Sequence, residues 1–233
     1  MPFLDLICLA NARKRSERCV AGLRADAGRW IRLVSRAEHG EFTYAQRNLG
    51  EAGEPQNFDL IRVEVLVPRP TPGQPENCLV GNSSWKLLQR PASSEMWPIL
   101  ASQLRPEDVI FGSGSDRLAL TSFHSNPVSA SLALVKPQRV RFLHEVIGSK
   151  KRARALFALG QNCFNLAVTD PPFEQKLKGL PAGYHSLSDL GIADERKMLF
   201  CMSLGEPFED GNCYKLVAGV LLLPSTWAVP QLT

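Results

Sequence analysis

The sequence predicts a mainly β fold built as two small barrels packed together, with a few short helices. Short apolar stretches that alternate with a period of two recur along the 233 residues. Each half holds several such stretches and at most one helical signal over roughly 110 residues, the size and pattern of a small, partly closed barrel. A hydrophobic content of 44%, with no long polar or single-residue tract, supplies cores to bury and argues against disorder.

The first strand runs from Phe3 to Ala10, the second from Cys19 to Arg24 and the third from Arg29 to Ser35. Residues 58–67 form the next. Its Ile61, Val63, Val65 and Val67 make one wholly apolar face that packs on a core. Pro68, Pro70, Pro72 and Pro75 then impose an extended connection, and a short strand follows at 77–80. Ser93, Ser94 and Glu95 make an N-cap signature that opens a helix to Gln103. Turn-rich sequence from Phe111 to Asn126, with Gly112-Ser-Gly-Ser-Asp116 in its middle, sets the boundary. Residues 1–125 are then the first barrel with its helical insertion, and residues 126–233 the second.

In the second half, 128–135 and 139–144 alternate as strands, the latter basic on one face. Gly148 to Ala158 reads as a helix start or as a loop bridging two strands. Asn162 to Thr169 is a strand ended by Asp170-Pro171-Pro172. The cleanest hairpin pairs 197–204 with 214–221 across turn residues 205–212. Both its strands are largely apolar on two faces, which puts this hairpin at the centre of its sheet.

The longest apolar run near the C-terminus, Leu216 to Leu223, is stopped by Pro224 and is too short to span a bilayer. Asp5 interrupts the first apolar stretch and the cations follow it, unlike a signal peptide. No membrane association and a cytoplasmic location are expected. None of the six cysteines forms a Cys-x-x-Cys pair, and no histidine stands at finger-like spacing from one. They read as small buried thiols in a reducing compartment, and neither a metal nor a cofactor is expected.

Charge is unevenly spread. The first 36 residues carry +5 and the remaining 197 carry −1, so the net +4 is concentrated on one β-meander. That suits a grip on a polyanion. Arg13, Lys14, Arg15 and Arg18 read as phosphate contacts at the mouth of the first barrel, against the alternative of a solvated turn. Trp30, between Arg29 and Arg32, is either a core ring or a stacking platform for a base. Because an inward Trp30 would bury Arg32 on the same face, an open groove lined by both is favoured. Arg139, Arg141, Lys150, Lys151, Arg152 and Arg154 form a second basic group: residues 136–154 hold seven Lys/Arg and one acid. It reads as part of a groove for a single strand or folded RNA, fed by both clusters, or as a solvated basic face.

For an enzyme, the candidates are Asp170, Glu206 and Lys215, with His124 or His185, as a metal-assisted phosphate site. Turn chemistry explains both carboxylates as well, since each precedes a proline. Lys215, inside an apolar strand, needs a partner, and Asp170 or Glu206 is expected to supply it. His39 and His144 lack companions at ligand spacing.

Several strings together resemble a known family. Leu6-Ile-Cys-Leu-Ala-Asn-Ala-Arg-Lys14, Cys19-Val-Ala-Gly22 and Gly28-Arg-Trp-Ile-Arg-Leu-Val-Ser35 are similar to the opening of the dual OB-containing domain family. Leu166-Ala-Val-Thr-Asp-Pro171, Ser203-Leu-Gly-Glu-Pro207 and Tyr214-Lys-Leu-Val-Ala-Gly219 look like its later blocks. The resemblance implies two OB-like barrels and a nucleic-acid-binding role in prokaryotic conflict or defence, with no catalytic residues to carry over. The expectation is therefore a DNA- or RNA-binding module. The alternatives are an adaptor that docks a co-encoded partner protein and a metal-dependent nuclease.

Overall fold

The computed structural model describes residues 2–90, 97–104, 108–125, 127–192 and 198–223. It is mainly β, with three short α-helices among the described residues. Its contacts define two compact units, one of residues 1–71, 76–104 and 223–233, the other of residues 72–75 and 105–222. The sequence puts the boundary near 125; the units change over at 104–105.

The first unit opens with β1 (Phe3–Lys14), β2 (Glu17–Arg24) and β3 (Trp30–Val34), the expected meander. Helix α1 (Tyr44–Arg47) precedes β4 (Leu60–Pro68), β5 (Asn77–Val80) and β6 (Lys86–Gln89). Strand order is β1-β2-β3-β5-β4, and β4 pairs back onto β1, so five strands close into a barrel with β6 outside on β4. The β3–β5 pair is parallel and the others are antiparallel. Leu6 and Cys8 of β1 point inward with Val20, Leu33, Ile61 and Val63, and Phe42 and Trp85 plug the core edge-on at 5.0 Å. Ile7 and Leu9, on the alternate face of β1, are fully buried too.

Two sequence details acquire reasons here. The apolar face predicted for β4 holds at Ile61 and Val63, but a register shift between Val65 and Val67 turns Val67 outward to 52% exposure. In β2, Gly22 sits where β1 crosses closely: a Cβ there would lie 1.9 Å from the Ile7 carbonyl oxygen. The helix expected from Ser93 is described from α2 (Trp97–Ala101) onward, and its N-cap signature lies outside the described residues.

The second unit contains β7 (Arg117–Ala119), β8 (Leu132–Val135), β9 (Gln138–Ile147), β10 (Lys150–Leu159) and β11 (Asn162–Val168). Helix α3 (Pro171–Lys178), β12 (Gly183–His185), β13 (Met198–Pro207) and β14 (Asn212–Leu222) complete it. The sheet runs β12-β9-β10-β11-β14-β13-β8, with β7 on β14. Its five central strands repeat the order of the first unit, first-second-third-fifth-fourth, with the third–fifth pair, β11–β14, again parallel. The path stays open, because β12 occupies the outer edge of β9 and β8 that of β13. The predicted C-terminal hairpin is central, as its two apolar faces require. The core is aromatic: Phe157 stacks on Phe164 at 5.4 Å and meets Phe200 edge-on at 5.1 Å.

Two segments differ from expectation. The segment 148–158, read as a helix start or a loop, lies mostly in β10 (Lys150–Leu159), because Ala153, Ala155, Phe157 and Leu159 alternate inward with Arg152 and Arg154 on the other face. The connection to β9 is the two-residue turn Gly148-Ser149, with Gly148 at φ +59° as such hairpins require. Asp170-Pro-Pro, read only as a strand end, is also a helix start. Asp170 caps α3 with its Oδ1 accepting from Phe173 N at 3.3 Å, and the prolines fill the first helical positions.

Candidate nucleic-acid interface

In the first unit the basic cluster is the tip of the β1–β2 hairpin. Antiparallel register sets Arg13 opposite Arg18 and Lys14 opposite Glu17 around the turn Arg15-Ser16. Two like charges face to face repel, and acids on neighbouring segments relieve the repulsion. Glu54 Oε2 lies 3.3 Å from Arg18 Nε and 2.9 Å from Arg47 Nε, while Arg47 also reaches Glu17 at 3.2 Å. Burial works against the charge on Glu54, but donors from Arg47 and Asn11 and the field of Arg18 outweigh it and hold the carboxyl below its ordinary range. Lys14 Nζ donates to the His39 carbonyl. Arg13 and Arg15 are the exposed members. Arg15 holds φ +54°, a left-handed conformation that costs a residue with a Cβ about 1–2 kcal/mol.

The open groove expected around Trp30 is corrected. Trp30 is half-buried opposite Leu23, and Arg32 is 1% exposed, out of reach of a polyanion. The parallel β3–β5 pairing places Asn77 beside the buried guanidinium, with its Oδ1 3.5 Å from Arg32 Nη1. That acceptor is 45 residues away in the chain, beyond any local pattern.

In the second unit the β9–β10 hairpin extends past its neighbours. β12 pairs with β9 only at Phe142–His144, and β11 pairs with β10 only from Arg154 onward. Residues 145–152 therefore pair only with each other within the sheet, as a two-stranded ribbon. Lys150, Lys151 and Arg152 are exposed on it, beside Val146 and Ile147 at 47% and 52% exposure. Arg139 is exposed at a bulge opposite Phe157, where it takes φ +54°. Arg141 is exposed, with its guanidinium 5.3 Å over the Tyr184 ring. Arg154 is half-buried and donates from Nε and Nη2 to Asn165 Oδ1 and O at 2.7 and 2.6 Å. Tyr184 was not legible as a site residue. Its strand is three residues long, too short for a period, and it reaches Arg141 across 43 positions.

Of the enzyme candidates, Asp170, Lys215 and His185 make structural hydrogen bonds, and the His124 side chain lies outside the described residues. Asp170 caps α3 with one oxygen and accepts from Val220 N with the other at 2.8 Å. Lys215 pairs with neither Asp170 nor Glu206, correcting the expectation. Its Nζ donates to the Ser113 carbonyl at 2.6 Å and lies 5.7 Å over the Phe164 ring. Burial lowers its pKa to about 8, although the Asp116 charge pulls the other way. Glu206 lies near the end of β13, where its charge joins burial in pushing the Cys213 thiol up. Among the described residues, no group of three or more His, Cys, Asp and Glu is placed to hold a metal ion. All six cysteines are free; Cys8, Cys201 and Cys213 are buried as expected, but Cys163 is exposed. No described helix is long and apolar enough to cross a membrane.

Both basic groups thus occupy the same topological position. Each crowds the hairpin joining the first and second strands of its five-stranded order. Compared with known proteins, residues 4–220 match the family model described as dual OB-containing domain. No curated protein matches the chain.

Proposed function

The chain belongs to the dual OB-containing domain family, and on that premise we propose that it binds nucleic acid through the first hairpin of each five-stranded order. OB barrels take up oligonucleotides on the face of their second and third strands and on the loops beside it, the first–second loop among them. The observation that carries the reading is recurrence. Arg13 and Arg15 at one hairpin, and Lys150, Lys151 and Arg152 at the other, put exposed cations on that loop twice in one chain. Cations there neutralise phosphates and release counterions, giving affinity that does not depend on sequence.

Fluorescence anisotropy with single- and double-stranded DNA and RNA over a salt series tests this. Micromolar or tighter binding that weakens steeply with salt is expected, and indifference to every polyanion at low salt removes the reading. The family likeness is also our ground for assigning the binding to prokaryotic defence, within the cytoplasm. Cells carrying the chain with its co-encoded neighbours should then resist phage better than cells carrying a Lys150, Lys151 and Arg152 triple-alanine variant. Equal plating would remove that assignment alone.

A further inference from the structure

We infer that the outer face of the β12-β9-β10 sheet carries a stacking site for one unpaired nucleobase on Tyr184, with Arg141, Arg152 and Arg154 set for the adjoining phosphates. This rests on the nucleic-acid reading and goes beyond it in naming the strandedness of the ligand and the ring that holds it.

Register places these groups. Tyr184 stands opposite Leu143 of β9, which stands opposite Arg154 of β10, one row across three strands. With strands roughly 4.8 Å apart, the Tyr184 and Arg154 backbones are about 10 Å from each other. The next row toward the ribbon sets Glu145 against Arg152. Arg141 lies two residues from Leu143 on the same face, with its guanidinium against the Tyr184 ring. Arg154 uses Nε and Nη2 on Asn165, which leaves Nη1 for a ligand among the described residues.

Tyr184 is 58% exposed, and the ring takes no part in the core of its unit. An exposed tyrosine alone is ordinary; what distinguishes this one is that Arg141 lies against its ring and the strand that carries it is tied down on both sides. Two buried histidines clamp the chain leading into β12. His144 Nδ1–H donates to the Leu180 carbonyl and His185 Nε2–H to the Pro181 carbonyl, each at 2.8 Å. Beyond β12, Asp189 Oδ2 accepts from Ser186 N at 2.7 Å and closes the following turn. The strand is thus pinned on both sides, and a ring carried on a fixed backbone spares the backbone part of the ordering cost of binding.

Arg141, Arg152 and Arg154 outnumber the acids that face them, Glu145 and Asp189, so the surface favours a polyanion. A base can lie on the ring only with its π-face uncovered, which a stacked duplex does not offer. Aromatic stacking of this kind is tolerant of sequence and contributes about 1–3 kcal/mol per base.

The test uses the full chain and a single-stranded oligonucleotide carrying 2-aminopurine, whose fluorescence reports stacking. Wild type is expected to bind and to quench the probe. Tyr184→Ala should weaken binding roughly 5- to 150-fold and abolish the quench, whereas Tyr184→Phe should keep both. Matching thermal melts establish that the variants fold. A Tyr184→Ala protein with wild-type affinity and unchanged quenching overturns the stacking site and leaves nucleic-acid binding standing. So does preference for duplex with the probe unquenched. A wild-type chain that binds no oligonucleotide at low salt fails the broader reading, and this site with it.

Discussion

Lys215 shows how one side chain makes stability depend on pH. Burial lowers its pKa to about 8 in the folded state, from 10.5 in the open chain. Below pH 8 both states hold the proton, and the fold carries the full cost of a buried charge. Between about pH 8 and 10.5 the unfolded chain holds more protons than the native state, so this residue makes stability rise with pH. Urea unfolding of wild type minus Lys215→Met over pH 7–10.5 should show a difference growing toward high pH by up to about 3 kcal/mol. A flat difference would mean that the amine titrates normally. At the other unit, Arg15 holds φ +54° on an exposed turn. Arg15→Gly relieves the conformation but loosens the unfolded chain. Its melting temperature should stay within a few degrees of wild type while affinity for nucleic acid falls. Loss of stability with no loss of affinity would make Arg15 a turn residue only. Lys215 was legible as an oddity, a cation in an apolar strand. Its partner was not, because the Ser113 carbonyl comes from a loop 102 residues away.

Among the elements, α3 depends on a single carboxylate. Asp170 satisfies Phe173 N at the helix start and Val220 N of β14. Asp170→Ala removes both the helix cap and the acceptor at Val220 N, so unfolding by urea should find it less stable by about 2–4 kcal/mol. Asp170→Asn, which keeps one acceptor, should recover part. A neutral Asp170→Ala would deny the structural role. Gly22 sets how closely β1 and β2 pass. Gly22→Ala pushes a methyl into the Ile7 carbonyl, 1.9 Å away, and should cost about 1–3 kcal/mol by the same measurement. Strands long enough to alternate were legible, and so was the central hairpin. The β10 strand was not, because Lys150 to Arg154 masks its period with charge, and the inward face begins only at Ala153, continuing through Ala155, Phe157 and Leu159.

For the whole molecule, the proposed binding draws on exposed cations at two hairpins, Arg13 and Arg15 at one and Lys150, Lys151 and Arg152 at the other. Each phosphate contact contributes about 0.7 to the slope of log affinity against log salt for a single strand. Replacing Lys150, Lys151 and Arg152 by alanine should therefore lower that slope by about 2, and replacing Arg13 and Arg15 should lower it by a further amount. Isothermal titration or anisotropy at several salt concentrations reads both. An unchanged slope in either variant removes that hairpin from the interface.

Local chemistry settled much of this protein before any contact was known. Period-two alternation, proline and glycine punctuation, and the crowding of cations between strands are properties of neighbouring residues, so the β class, the first basic hairpin and the existence of a second basic cluster could be read from them. Tertiary structure alone decided which charges face water. Arg32 is buried where a parallel strand sets Asn77 beside it, and Tyr184 meets Arg141 because β12 adds to the edge of β9. The physical reason is that desolvation and cross-strand pairing depend on partners distant in the chain, and no local pattern specifies them.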